Sequence, residues 1–139
     1  MKHICTAALL GAVFATPAAA REVKIGYALA EDSHYGVAAK AFEKSVTDQL
    51  GDAFTFKDFP SSGLGGEREV VEGVQLGTVD MTIVSTGTLS NFVPEVGVFD
   101  VPFLFSSLDH ARRVLDGEIG QEMLARFDEA GLHALAWGE

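Results

Sequence analysis

The amino-acid sequence predicts an α/β fold in which helices cover both faces of a mainly parallel sheet. Short apolar runs typical of strands alternate with segments in which apolar residues recur every three or four positions. The 139 residues are 47% hydrophobic and 22% charged, which suits one soluble globular domain. A β-α-β-α-β order with short connections favours parallel strands joined by right-handed crossovers.

The first twenty residues have the order of features found in a signal peptide. Lys2 precedes an apolar run from residue 4 to residue 15, Pro17 interrupts it, and three alanines follow at 18–20. We expect cleavage after Ala20 and export to the periplasm; a buried N-terminal helix is the alternative interpretation. The expected mature lobe, residues 21–139, contains no cysteine and therefore no disulfide or catalytic thiol.

The first predicted strand and helix follow directly. Apolar and polar side chains alternate at the start of residues 23–28, and an apolar run completes this strand. Asp32 or Ser33 can cap the next helix, and Gly51 ends it. The apolar residues of this helix share one face: Tyr35, Ala39, Phe42, Val46 and Leu50.

A second strand, a second helix and a third strand are predicted between residues 54 and 84. Three phenylalanines mark the strand that Pro60 stops, and residues 61–66 form a polar, Gly-rich loop. Residues 67–76 carry valines on one face and end before Gly77, as a helix would. Residues 79–84 form the third strand.

The pattern is weaker after Val84. Residues 85–92 are turn-rich or weakly helical. Prolines and a glycine exclude a long helix over residues 93–105, although residues 98–105 have room for an extended piece.

Two helices and a strand are predicted at the C-terminal end. Ser106 and Asp109 resemble a capping box before a helix, and Asp116 can cap a second helix that Gly131 ends. Residues 132–137 have the apolar character of a last strand. Because only two residues follow Trp137, we expect that the reading frame is truncated.

The charge balance excludes several classes of function. Asp and Glu number 20 against 10 Lys and Arg, a net charge of −10. Nucleic-acid backbones and anionic lipid surfaces need clustered cations, and none cluster in this sequence. No apolar stretch reaches the roughly 20 residues that span a bilayer.

Polar loops after predicted strands are the best candidates for a ligand site. Residues 85–88, Ser-Thr-Gly-Thr, follow the third strand, and ligands of parallel sheets lie beyond the carboxyl ends of strands. The glycines of residues 63–66 fit neither phosphate-binding motif, so an ordinary turn is favoured there, although free amides at a helix start attract carboxylates. His34 lies at the mouth of the first strand and either faces a ligand or is solvated.

The sequence contains no catalytic or metal-binding constellation. His34, His110 and His133 are not at metal-ligand spacing, and no Gly-x-Ser-x-Gly motif is present. We therefore expect no enzyme, no metal and no cofactor.

Three segments together resemble one protein family. They are Ser62-Gly63-Leu64-Gly65-Gly66-Glu67-Arg68-Glu69, Val74-Gln75-Leu76-Gly77-Thr78-Val79-Asp80-Met81 and Phe99-Asp100-Val101-Pro102-Phe103-Leu104-Phe105. They are similar to segments of the solute-binding subunit of tripartite ATP-independent periplasmic (TRAP) transporters, of the dicarboxylate-binding type. The similarity extends over the mature chain to the Leu-Ala-Trp-Gly-Glu end.

The resemblance implies a periplasmic-binding-protein-like lobe, the N-terminal part of a two-lobed protein of which the second lobe is missing. Such proteins close on a small organic acid, here expected to be a dicarboxylate or a related carboxylate, and deliver it to a membrane permease. The implied ligand-binding positions are Ala28, Leu29, Glu67, Ser85 and Thr88. His34 is added from its position after the first strand.

The family's carboxylate-binding arginine lies in the second lobe, so the resemblance also implies that this chain alone binds a carboxylate weakly. Two other functions are alternatives at this point: an α/β enzyme of unknown reaction, and an interaction domain. Turnover would favour the first, and concentration-dependent dimerisation would favour the second.

Overall fold

The computed structural model describes residues 20–138. Residues 1–19 of the predicted signal peptide therefore lie outside the described residues, and cleavage after Ala20 stays a prediction. Three strands and five α-helices follow in order: β1 (Arg21–Tyr27), α1 (His34–Leu50), β2 (Phe54–Phe59), α2 (Glu67–Gln75), β3 (Met81–Ile83), α3 (Thr86–Leu89), α4 (Leu108–Leu115) and α5 (Glu118–Ala125). Short 3₁₀ helices cover Gly51–Ala53, Pro94–Asp100 and Arg126–Ala130.

The strands form a parallel sheet in the order β2-β1-β3. Gly26 is opposite Phe59 of β2, and Tyr27 is opposite Ile83 of β3. The carboxyl ends of all three strands therefore meet at one edge. This arrangement confirms the predicted α/β class and the parallel pairing.

Helices cover both faces of the sheet. Side chains alternate along β1, so successive residues contact helices on opposite faces. Ile25 and Tyr27 are buried against Ala39 of α1 on one face. Gly26 faces the other way, where a Cβ atom would come within 2.9 Å of a Val70 methyl of α2. A side chain at residue 26 would hold α2 away from the sheet.

The ends of α1 follow the prediction. The Ser33 hydroxyl accepts a hydrogen bond from the Gly36 amide at 3.4 Å, which makes Ser33 rather than Asp32 the cap. Gly51 has a positive φ of 59°, a conformation that glycine adopts at little cost. α1 therefore has the predicted length.

Asp80 fixes the turn before β3. Its carboxylate accepts a hydrogen bond from the Lys24 amide at 3.0 Å and pairs with Arg21 at 3.2 Å. The Lys24 amide is the main reason why the pKa of Asp80 is lowered from its ordinary value, and Arg21 lowers it further.

A second core lies under the C-terminal half of the described chain. Its buried members are Val71, Val93, Val96, Phe127 and Leu132. Trp137 packs against this core and donates its indole N–H to the Gly120 carbonyl at 3.0 Å. The α5 helix and the 3₁₀ helix that follows it therefore share this core with α2.

Two predicted extended segments are wrong. Residues 98–105 contain a 3₁₀ helix up to Asp100 and then turns, because Pro94 and Gly97 fit a tight helix. Residues 132–137 form no strand, since no strand of residues 20–138 pairs with them and β3 pairs only with β1.

The predicted caps of the last two helices are also wrong. Ser107, not Ser106, caps α4, because its hydroxyl accepts the His110 amide at 3.1 Å. Asp116 lies at the C-terminal end of α4, and Gly117 precedes α5 without a side-chain cap. Both helices exist and begin within two residues of the predicted start, but α5 ends at Ala125, and a 3₁₀ helix continues to Ala130 before the predicted end at Gly131.

Within the described part of the chain, no helix is both long enough and apolar enough to cross a membrane.

Candidate functional site

The loops after the three strands meet at the carboxyl edge of the sheet. The loop after β2 folds back toward β1, since the Ser61 amide donates to the Leu29 carbonyl at 2.7 Å and the Ser62 amide donates to the Tyr27 carbonyl at 3.1 Å. Both serines have a positive φ, 52° and 59°, which non-glycine residues adopt rarely. These two bonds hold the polar loop beside the end of β1.

Glu67, the first residue of α2, is the centre of the hydrogen-bond network at this edge. Its Oε1 accepts the Ser85 amide at 3.2 Å and the Tyr35 hydroxyl at 3.3 Å. Its Oε2 accepts the Ser85 hydroxyl at 2.5 Å and the Thr88 hydroxyl at 2.6 Å. One partly buried carboxylate therefore joins α1, α2 and the loop after β3.

These bonds keep Glu67 ionised. Burial acts to raise the pKa of the Glu67 carboxyl, but hydrogen bonds from Ser85, Thr88 and Tyr35 outweigh burial and hold that pKa below its ordinary value of 4.5. A carboxylate oxygen accepts about two hydrogen bonds, so four donors saturate the group. Among residues 20–138 no lysine or arginine pairs with Glu67.

Ser85 and Thr88 expose acceptor oxygens once they have donated to Glu67. Each hydroxyl has one proton to donate and two lone pairs. The Ser85 hydroxyl also caps α3 by accepting the Thr88 amide at 3.3 Å, and it lies 3.2 Å from the Thr88 hydroxyl. The two oxygens can therefore accept a hydrogen bond from a ligand hydroxyl. They have no proton left to donate to a ligand carboxylate.

Tyr35 is a further member of this network, which the sequence pattern did not indicate. Its position in the apolar stripe of α1 suggested a core residue, and its ring is partly buried. Burial, and then the neighbouring Glu67 carboxylate, raise the pKa of the Tyr35 phenol, so the hydroxyl remains a donor. A phenol in the first turn of a helix after β1 was the only available signal.

The other predicted positions lie at the same edge but outside the network. His34 is exposed and contacts the Tyr35 ring edge to face, with 4.7 Å between ring centroids. Ala28 and Leu29 follow β1, and the Leu29 carbonyl accepts the Ser61 amide of the loop after β2 rather than a member of the network. The structure thus brings Glu67, Ser85 and Thr88 into direct contact and leaves Ala28, Leu29 and His34 around them.

The neighbouring Thr86 is held separately. Its hydroxyl donates to the carboxylate of Asp100, which ties α3 to the 3₁₀ helix that follows. In residues 20–138 no group of three or more His, Cys, Asp or Glu side chains could hold a metal ion.

The chain has a parallel sheet with a polar network at the carboxyl ends of its strands. It is therefore an α/β lobe of the class whose hydrogen-bonding groups at this edge can contact a small ligand. The chain belongs to the bacterial extracellular solute-binding proteins, family 7, whose model matches residues 25–139. The predicted resemblance to TRAP solute-binding subunits is confirmed by this match and by the relatives below.

Three relatives show the similarity in sequence and structure. A solute-binding protein from Verminephrobacter eiseniae is 50% identical over 125 residues, which are 90% of this chain and 37% of the relative. A TRAP periplasmic solute-binding protein from Polaromonas sp. JS666, solved with D-erythronate, is 50% identical with a TM-score of 0.83, over 86% of this chain and 39% of that one. Another from a Bordetella species, with density assigned to pantoate, is 56% identical with a TM-score of 0.83, over 86% and 40%. This chain thus spans 37–40% of the length of these relatives.

Proposed function

We propose that residues 21–139 form the N-terminal lobe of a TRAP solute-binding protein, which captures a small organic acid in the periplasm and delivers it to a membrane permease. Membership of the family and the bound acids of the similar structures support this function. The ligand-facing residues we propose are Ser85 and Thr88, with Glu67 holding them. Ala28, Leu29 and His34 lie around these three residues, and we call the surface formed by all six the ligand wall.

The saturated Glu67 carboxylate is the observation that carries the choice of ligand. It accepts four hydrogen bonds and leaves the oxygens of Ser85 and Thr88 as acceptors. A carboxylate pointed at this wall would meet a negative charge and no free donor from these hydroxyls. A ligand hydroxyl would find an acceptor. The wall therefore favours the hydroxyl-bearing part of a ligand.

This chemistry favours a hydroxy acid over the dicarboxylate that the sequence resemblance suggested. D-erythronate and pantoate, in the structures at 50% and 56% identity, are both hydroxy monocarboxylates. The ligand's single carboxylate then needs a cation outside this wall. For that reason we expect this chain alone to bind in the millimolar range or more weakly, at about −4 kcal/mol.

Chemical-shift mapping on the ¹⁵N-labelled chain tests the proposal. D-erythronate should shift the amide signals of Ser85 and Thr88, and succinate at the same concentration should shift them much less. Thr88→Val should remove the difference, whereas Thr47→Val on the outer part of α1 should keep it. Equal shifts with both acids, or shifts confined to another surface, would contradict the proposal.

The expected export has its own test. Mass spectrometry of the protein secreted by a Gram-negative host should give an N-terminus at Arg21. An uncleaved N-terminus would contradict the predicted cleavage after Ala20, and recovery of the chain in the cytoplasmic fraction alone would contradict a periplasmic role.

Exposed apolar side chains favour the interaction domain as a second candidate. Phe103 is 100% exposed, and Leu108 and Ile119 are exposed on the same half of the chain. Apolar surface of this kind marks association when it is contiguous. Sedimentation that shows dimers increasing with concentration, and monomers for Phe103→Ser, would support this candidate; monomers at every concentration would exclude self-association.

A further inference from the structure

The short helix α3 and its cap Ser85 supply both hydroxyls that we place against a ligand. The four residues of α3 are far fewer than the roughly 12 that an isolated helix needs in water. Its position therefore depends on contacts with its neighbours. One such contact is already described, since Glu67 of α2 accepts the hydroxyls of Ser85 and Thr88.

A second carboxylate contacts α3 from the 3₁₀ helix that ends at Asp100. The Thr86 hydroxyl donates to Asp100 Oδ1. Asp100 Oδ2 lies 3.8 Å from the point that a Cβ atom would occupy on Gly87, and the Ser85 hydroxyl oxygen lies 4.0 Å from the same point. Asp100 therefore contacts the two residues that separate Ser85 from Thr88 in the chain.

The second core fixes the backbone that carries Asp100. Val96, in the middle of the 3₁₀ helix, is fully buried in this core, and Val93, just before the helix, is also buried there. The Val101 amide donates to the Val98 carbonyl at 3.3 Å, which continues the helical hydrogen bonding past Asp100. The Asp100 carboxylate is therefore presented to α3 from a well-packed support.

The remaining side-chain hydrogen bonds to α3 come from the residues that directly follow it. The Ser90 hydroxyl donates to the Gly87 carbonyl at 2.8 Å, and the Asn91 side-chain amide donates to the Thr88 carbonyl at 3.0 Å. These bonds close the C-terminal end of α3 without attaching it to another element. The carboxylates of Glu67 and Asp100 therefore attach residues 85–88 to α2 and to the 3₁₀ helix.

We propose that Asp100 is a positioning residue of the ligand wall, which fixes Ser85 and Thr88 through its bond to Thr86. The inference rests on the proposed function, because it concerns the affinity of the same wall for a hydroxy acid. Hydroxyls that are already fixed lose less freedom when a ligand binds, so a bond that orders α3 increases affinity without contacting the ligand.

NMR titration of the ¹⁵N-labelled full chain with D-erythronate tests the proposal. Asp100→Ala and Thr86→Val each remove the bond, so each should weaken binding roughly three- to tenfold, as expected for one hydrogen bond. The double variant should bind no more weakly than either single variant, since both remove the same bond. Thr86→Ser keeps the donor and Asp100→Asn keeps an acceptor, so both should restore most of the affinity.

Amide hydrogen exchange measures the ordering of α3 without a ligand. The Leu89 amide donates to the Ser85 carbonyl at 3.1 Å, and the Ser90 amide donates to the Thr86 carbonyl at 2.9 Å. Both amides should exchange faster in Asp100→Ala than in the wild type, while amides of α1 keep their rates.

Glu95→Ala is the matched control for these measurements. Glu95 lies on the same 3₁₀ helix, and its carboxylate pairs with Arg126 at 3.3 Å rather than with α3. Its removal should leave the affinity for D-erythronate and the exchange of the α3 amides unchanged.

Three results would overturn the proposal: wild-type affinity in Thr86→Val or Asp100→Ala, losses that add in the double variant, or an equal loss in Glu95→Ala. A wild type whose Ser85 and Thr88 signals do not respond to D-erythronate would instead contradict the proposed function, and the positioning role would fail with it. If circular dichroism shows that Asp100→Ala or Thr86→Val is unfolded, Asp100→Glu replaces it. That variant displaces the carboxylate by one methylene and should also weaken binding; unchanged affinity would contradict the proposal.

Discussion

Replacing Glu67 by glutamine separates its role as a hydrogen-bond centre from its charge. The amide keeps one acceptor oxygen and turns an –NH₂ group toward donors, so about half of the four accepted bonds are lost. Hydrogen bonds to a charged group contribute about 1.5–3 kcal/mol each when sheltered. Because Glu67 is only partly buried, we expect a total loss of roughly 2–3 kcal/mol. For a chain of this size the melting temperature should fall by roughly 10 °C.

Urea denaturation monitored by circular dichroism measures this loss, with Glu69→Gln as the control. Glu69 is exposed in the same first turn of α2, so its loss removes only the favourable interaction with the helix dipole, about 0.5 kcal/mol. The pKa of Glu67 is lowered, so its contribution is present above 4.5 and is lost as the pH falls through the folded-state pKa. Glu67→Gln and wild type should therefore converge in acid. Equal effects of the two substitutions at neutral pH would refute the account of the network.

Three further substitutions test the fold that positions the site. Gly26→Ala places a Cβ 2.9 Å from a Val70 methyl and should destabilise by about 1–3 kcal/mol, with partial recovery in combination with Val70→Ala; no loss in urea unfolding would contradict the packing of α2 on β1. Ser107→Ala should lower the free energy of unfolding by about 1 kcal/mol, more than Ser106→Ala does. A larger loss for Ser106→Ala would indicate that Ser106 is the cap, as the sequence predicted. Asp80→Asn should lower the free energy of unfolding at neutral pH but not in strong acid. The pKa of the Asp80 carboxyl is lowered in the folded chain, so the ionised group contributes stability only above that pKa. A difference in unfolding free energy that stays constant across the pH range would contradict this.

The sequence was sufficient for elements whose ends carry strong local signals. Ser33 and Gly51 set the limits of α1, and Pro60 stops β2, because capping geometry and proline sterics act over a few residues. The carboxyl edge of the sheet was also predictable, since parallel strands place their ends together. Ser85 and Thr88 could thus be proposed before their contact with Glu67 was seen.

Features that depend on partners distant in sequence were not predictable in the same way. Residues 132–137 have strand composition, yet a strand requires a neighbouring edge, and Trp137 instead packs on the second core. Ser106 and Ser107 offer the same capping chemistry, and only the path of the chain selects Ser107. Tyr35 fitted an apolar stripe equally well as a core residue and as a donor to Glu67.

The central claim is that Ser85 and Thr88, held by Glu67, receive the hydroxyl groups of a hydroxy acid. A crystal structure of the chain with saturating D-erythronate tests it most directly. We predict a ligand hydroxyl within about 3 Å of the Thr88 or Ser85 oxygen, with the ligand carboxylate turned away from Glu67. A carboxylate seated against Ser85 and Thr88, or a ligand bound on another face, would contradict the claim.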